Sequence, residues 1–285
     1  MKKVLIKSYA KINIGLNVNG VTKDGYHDLD MIMVPIKMHD SILMSKLEHR
    51  KTDSVTVDDY SCRFGGHNLA TLVLEELRKR HHFKEMFRVD IHKVIPIQAG
   101  FGGGSSNAVA TMRGVEKLLK MNFSREELLE VSALIGSDVP FFVDNKPMRC
   151  KGRGEIMSPI TIKNDYYAVV TKPTGGCSTK DVYKKCDELV LKTCDMDLIQ
   201  KALEEGDDEL LANNVCNSLY EPALCYVPEI KEILATMKEN GAKVALMTGS
   251  GSGCFCLTTE KKLAKKIYKA LEKKGYDSEI TEVIK

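Results

Sequence analysis

The 285 residues carry 42 Lys and Arg against 39 Asp and Glu, a formal net charge of +3, with 43% hydrophobic and 28% charged residues. These are the proportions of a globular chain forming one large domain or two moderate ones; they exclude a disordered chain and give no basis for nucleic-acid binding through whole-surface counterion release. No run of about 18 apolar residues predicts a membrane helix, and nine cysteines without a CxxC, after a start (MKKVLIKSYAKINI) lacking a signal-peptide core, predict reduced thiols and a cytoplasmic address.

Along the chain, Ile12, Ile14, Leu16 and Val18 alternate with Lys11, Asn13, Gly15 and Asn17, the period-2 signature of a strand with one buried and one polar face. Lys11 and Asn13 therefore share the polar face, where a lysine taken alone is a surface residue. Asp24-Gly25 predicts a hairpin into the apolar stretch Met31–Ile36, with Tyr26 and His27 emerging at the turn. Asn68 precedes Leu69, Leu72, Val73 and Leu77, an amphipathic helix closing on the basic run Arg78-Lys79-Arg80. Phe87–Ile91 alternates as a strand that feeds a glycine-dense loop.

Beyond the loop, Ala108, Met112, Val115 and Leu119 follow the helical period, which predicts a helix capped by Ser105 or Ser106 and reaching about Lys120. Ser124-Arg125-Glu126-Glu127 has capping-box spacing and opens a helix that Gly136 stops. After Pro159 the pattern restarts: a strand Tyr166–Val170, a turn Pro173–Gly176, and helices near Asp181–Leu191 and Leu198–Leu203. A helix Ile230–Glu239, a strand Val244–Met247, a loop Thr248–Gly253, a strand Cys254–Leu257, a helix Lys261–Lys274 and a short final strand complete a second half.

The densest chemical signal is Gln98-Ala99-Gly100-Phe101-Gly102-Gly103-Gly104-Ser105-Ser106, immediately ahead of a helix. Backbone N–H groups without Cβ obstruction can wrap phosphate oxygens, and a helix N-terminus adds the equivalent of roughly half a positive charge. The run is neither GxxxxGK[ST] nor GxGxxG with a downstream acid, which disfavours the usual mononucleotide and dinucleotide folds. Gly136-Ser137-Asp138-Val139-Pro140 sets one carboxylate before the apolar Phe141-Phe142-Val143; from the residues alone it is either a turn aspartate or a group that takes the proton of an attacking hydroxyl. Tyr26-His27 pairs a stacking ring with an imidazole, or is an ordinary surface turn. Thr248-Gly249-Ser250-Gly251-Ser252-Gly253 is a second glycine-rich loop, a hairpin turn or a cover for phosphates or substrate. Cys254-x-Cys256 lies in an apolar run with no second ligand pair, so it reads as core rather than metal site.

Together these motifs resemble the GHMP kinase superfamily over nearly the whole chain, its three motifs matching Ala10-Lys11-Ile12-Asn13, Pro96–Ser106 with the following helix, and Thr248–Gly253. Asp24-Gly25-Tyr26-His27-Asp28-Leu29 and Gly136–Pro140 point to a branch whose alcohol substrate carries cytidine diphosphate. The resemblance implies an α+β, two-domain fold: an N-terminal domain like ribosomal protein S5 domain 2 over residues 1–158, and a C-terminal ferredoxin-like domain over 159–285. It implies that ATP is held by Pro96, Ile97, Gln98, Ala99, Gly100, Phe101, Gly102, Gly103, Gly104, Ser105 and Ser106. Mg²⁺ would arrive with ATP, Ser106 being its candidate protein contact. Asp138 would be the catalytic base and Lys11 its partner. Asn13, Tyr26, His27, Thr179, Tyr183, Gly249, Ser250 and Gly251 would face a cytidine-diphosphate-linked methylerythritol, with the two tyrosines sandwiching the cytosine and His27 reading its edge. Phe is also found in the family where Tyr183 stands, Ala is common at Ser137 and a Leu-type residue at Phe101; none of these changes alters a charge. Mevalonate- or homoserine-type kinases, and a non-catalytic ligand sensor, share the fold and remain alternatives. Neither nucleic acid nor membrane is an expected partner, and a monomer or homodimer is expected in a bacterial cytoplasm.

Overall fold

The computed structural model describes residues 2–58 and 68–285. Strands β1 (Lys3–Val21) and β2 (His27–Leu47) form the hairpin expected at Asp24-Gly25, closed by the Thr22 N–H on the Tyr26 carbonyl at 2.7 Å. The expected polar face of β1 is not solvated, since every residue from Ala10 to Val18 is buried. Other chain segments cover both faces: Gly15 has no room for a Cβ beside Met196 and Ile199, and Asn17 donates to the Cys194 carbonyl at 2.7 Å. Lys11 is accordingly 3% exposed, where the alternation alone made it a surface lysine.

One compact unit gathers Met1–Ala10, Met38–Ile95 and Gly102–Asn145. Its later elements are β3 (Ser54–Val57), α1 (Leu69–His81), β4 (Met86–His92), α2 (Gly103–Leu119), α3 (Arg125–Ile135) and α4 (Phe141–Asp144). Strand β4 pairs antiparallel with the far half of β2, Ile42 opposite Ile91, and parallel with β3, Val55 opposite Val89. Asn68 caps α1 by accepting the Ala70 N–H at 2.9 Å, the basic run falls in the last turn, and Ala70, Val73, Leu74 and Leu77 are buried on a helix that packs on α2. Ser124 caps α3 on the Glu127 N–H, and Gly136 ends it.

Helix α2 departs from expectation at its start. Its cap is Gly102, in the left-handed region at φ 74°, so Ser105 and Ser106 fall inside the first turn instead of capping it. Glycine has no side chain with which to cap the first N–H groups of the helix.

The second unit gathers Lys11–Lys37, Pro96–Phe101 and Lys146–Lys285. The near half of β2 pairs with β5 (Met148–Gly152), Met31 opposite Cys150, and β5 turns back into β6 (Ile156–Pro159), a hairpin that the punctuation by Pro147 and Gly152 obscured in the sequence. Then follow β7 (Tyr167–Thr171), α5 (Thr179–Cys186), α6 (Met196–Glu205), α7 (Asp208–Asn214), α8 (Tyr220–Leu224), α9 (Glu229–Glu239), β8 (Val244–Met247), β9 (Cys254–Thr258), α10 (Lys261–Lys273) and β10 (Ser278–Glu282). The antiparallel order β10-β7-β9-β8, with α9 and α10 packed on the sheet, is the ferredoxin-like split βαβ arrangement expected of the second half. Helix α5 stops at Cys186 rather than near Leu191, because Leu189 and Val190 are exposed and the apolar positions that prolonged the pattern bury nothing. Cys254 and Cys256 are core residues of β9, and burial pushes both thiols up, Cys256 to about 12. A thiol held protonated is a poor ligand.

Candidate active site

Within the second unit, three separated motifs meet. The Lys11 N–H donates to the Phe101 carbonyl at 2.9 Å, and its ammonium donates to Asn13 Oδ1 at 2.6 Å. The Asn13 N–H in turn donates to Thr248 Oγ1 at 3.1 Å, joining the first strand to the second glycine loop. That loop lies directly on the first: the Gly253 N–H donates to the Ala99 carbonyl at 3.0 Å, and a Cβ on Gly100, itself at φ 76°, would run into the Thr248 carbonyl. A Cβ on Gly249 would sit 3.4 Å from the Lys11 ammonium, so the bare backbone of this loop borders the buried cation. Ser250 and Gly251 follow in the same buried turn, and Ser250 Oγ bonds Thr179 Oγ1 at 2.9 Å.

In the first unit, Gly102–Ser106 opens α2 over a buried polar network. Asp40, fully buried, accepts the Lys93 ammonium at 2.5 Å, the Asn107 amide at 2.9 Å and the N–H groups of Val94 and Ile95 at 2.8 Å. Asn107 also donates to Ser8 Oγ, which donates to Ser106 Oγ, both at 2.8 Å. These bonds hold the strand end that enters the loop and the first turn of α2 in one frame. The loop suits a polyphosphate: no acid lies in the first turn, its cap residue is a glycine, and a Cβ at Gly103 would meet the Lys93 ammonium at 2.9 Å. Asp138, half-buried, stands in the turn between α3 and α4, where the Val139 N–H closes on the Gly136 carbonyl.

The hairpin end of the second unit collects aromatic and charged groups. The His27 ring packs on Tyr183 with centroids 4.6 Å apart, and His27 Nε2 lies 2.9 Å from Asp187 Oδ1. Tyr26, exposed, carries the Arg153 guanidinium over its ring at 3.5 Å, and Arg153 pairs with Asp24. Thr179, Tyr183 and Asp187 recur every fourth residue, hence on one face of α5 and its end.

Several of these groups escaped sequence reasoning. Asn217, whose amide donates to the carbonyls of Met247 and Gly249 at 2.8 and 2.9 Å, gave no local signal. Lys93, just ahead of the loop, and Asp187, four residues past Tyr183, carried a positional hint that only a known partner makes meaningful.

Comparison with known proteins agrees with this arrangement. The GHMP kinases N terminal domain model matches residues 68–146 and the GHMP kinases C terminal model residues 199–277. A Bacillus cytotoxicus protein named 4-diphosphocytidyl-2-C-methyl-D-erythritol kinase is 34% identical over 98% of this chain and 95% of its own. A crystal structure of 4-(cytidine 5'-diphospho)-2C-methyl-D-erythritol kinase superposes with a TM-score of 0.82 at 26% identity, covering 98% of this chain and 99% of that one. The chain belongs to the GHMP kinases, in the branch of the 4-diphosphocytidyl-2-C-methyl-D-erythritol kinases.

Proposed function

We propose that the chain transfers the γ-phosphoryl group of ATP to the C2 hydroxyl of 4-diphosphocytidyl-2-C-methyl-D-erythritol, a step of non-mevalonate isoprenoid precursor synthesis. The observation that carries this reading is the end-to-end likeness to kinases of that name. The His27–Tyr183 ring pair, with Tyr26 next to His27 in the chain, adds the chemistry a cytosine needs, flat rings for stacking and an imidazole for its polar edge.

Phosphoryl transfer has a loose transition state with charge spread on oxygens, so catalysis is mostly positioning and electrostatics. In this reading the N–H groups of Pro96–Ser106 other than Pro96 hold the triphosphate, and Asp138 accepts the proton of the substrate hydroxyl. Lys11, kept in place by Asn13, stabilises the developing charge; its burial supports this, because a cation acts most strongly where water is excluded. Mg²⁺ bound with ATP would neutralise phosphate oxygens, with the buried Ser106 hydroxyl as its candidate contact. Asn13, Thr179, Gly249, Ser250 and Gly251 border the substrate. The same reading assigns residues 1–158 to the ATP-binding domain and 159–285 to the ferredoxin-like domain, as a cytoplasmic monomer or homodimer.

The test is ADP release with Mg-ATP and, in parallel, 4-diphosphocytidyl-2-C-methyl-D-erythritol, mevalonate and homoserine, with products identified by mass spectrometry. Turnover of the cytidine compound alone is expected; turnover of another alcohol would discard the substrate, and ATP binding without product would favour a ligand sensor. Asp138→Asn is expected to lower kcat by about 10²–10⁴-fold, the usual contribution of a general base, with KM for ATP unchanged. Retained activity would remove Asp138 from the mechanism.

A further inference from the structure

We propose that Asp187 is a specificity-determining residue: it holds His27 in the tautomer that accepts a hydrogen bond at Nδ1, so that the site selects a pyrimidine bearing an exocyclic amino group over one bearing a carbonyl there. The inference rests on the reading that His27 meets the edge of the substrate base, and adds to it the device that sets which base.

The argument is one of donors and acceptors. An ionised carboxylate only accepts, so at 2.9 Å from Asp187 Oδ1 the Nε2 of His27 must be the donor. A neutral imidazole carries one ring proton; with that proton on Nε2, Nδ1 presents a lone pair. The structure gives Nδ1 no hydrogen-bond partner among the described residues, although the side chain is only 16% exposed. One side of the ring lies against Tyr183, with centroids 4.6 Å apart. A carboxylate that fixes an imidazole's tautomer from behind is the arrangement by which metal-bound histidines are oriented, and here the group in front would be a base edge.

The ligand chemistry follows. The amino group at C4 of cytosine donates and satisfies an acceptor at Nδ1. The carbonyl of uracil at the same place would set lone pair against lone pair and leave both unpaired, the kind of mismatch that gives strong discrimination. Helix α5 supplies the geometry: Tyr183, which packs on the ring, and Asp187, which orients it, are four residues apart on one face, and Thr179, four residues earlier, bonds Ser250 of the second glycine loop. One short helix thus positions the base-reading imidazole and braces the loop next to Lys11.

The experiment compares kcat/KM for the cytidine- and uridine-diphosphate-linked forms of methylerythritol in the wild type, Asp187→Ala, Asp187→Glu and His27→Ala. The KM for ATP is measured in each, and the protonated ring nitrogen of His27 is located by nitrogen-15 NMR. The expected results are a wild-type ring protonated at Nε2, a cytidine preference that falls roughly tenfold in Asp187→Ala, the size of one hydrogen bond, partial recovery in Asp187→Glu, and an unchanged KM for ATP. A wild-type ring protonated at Nδ1, or a preference unaltered in Asp187→Ala while His27→Ala abolishes it, overturns the role of Asp187. A preference unaltered in His27→Ala as well shows that His27 does not read the base, and that failure removes the premise along with the proposal.

Discussion

Loops 96–106 and 248–253 are both rich in glycine and serine, yet their missing side chains leave room for different things. In the second loop the room is taken by protein: Gly253 abuts the Ala99 carbonyl and the Phe101 ring, and Thr248 and Ser252 are fully buried. In the first, Gly100 and Gly103 likewise face protein, but the backbone is open at Gly104, where among the described residues a Cβ would meet Leu69 Cδ1 alone, at 3.9 Å. Glycine therefore serves packing at most of these positions and leaves the backbone exposed at Gly104. The second loop braces the entry to the first through the Gly253 N–H on the Ala99 carbonyl.

The largest test of this difference is Gly253→Ala. Its Cβ would overlap the Ala99 carbonyl and stand 2.5 Å from the Phe101 ring, and overpacking of this kind costs about 1–3 kcal/mol. Thermal unfolding should fall by several degrees; an unchanged Tm would show that the loops do not brace each other. Asn217→Ala comes next, since it strips the hydrogen bonds from the carbonyls of Met247 and Gly249, at about 1–2 kcal/mol for buried acceptors left unpaired. Denaturant unfolding measures it, and a loss no greater than that of an exposed asparagine would mean that the second loop holds its shape by itself. The smallest effect on stability belongs to Gly104→Ala, which should raise stability by up to about 1 kcal/mol, the helix-propensity difference. If KM for ATP rises in this variant while Tm does not fall, Gly104 is bare for the ligand; if Tm falls instead, its glycine serves packing after all.

Much of the fold was legible because its signals are local. The capping residues Asn68 and Ser124, the basic end of α1, the stop at Gly136 and the strands and helix that finish the chain all depend on neighbours within a turn or a hairpin. The exceptions have local causes too. Gly102 displaced the expected serine cap of α2 because a left-handed glycine can enter the helix directly, and α5 ended early because Leu189 and Val190 found nothing to cover them. The β5–β6 hairpin was hidden because its alternation, Met148 and Cys150 inward, lasts only a few residues between Pro147 and Gly152.

The candidate site divides in the same way. The sequence by itself determined where bare backbone, a carboxylate, a lysine and an aromatic-imidazole pair stand along the chain, since each is a matter of residue type and short spacing. Which of them are buried and what each touches was decided only by tertiary structure. The alternation of β1 allowed its polar positions to face water, and it is the packing of other segments over both faces that buried Lys11 and Asn13. The bond from His27 to Asp187 joins residues 160 apart and that from Asn13 to Thr248 residues 235 apart. No local periodicity carries such pairings, because they exist only once separate strands and helices have been brought together by burial of their apolar faces.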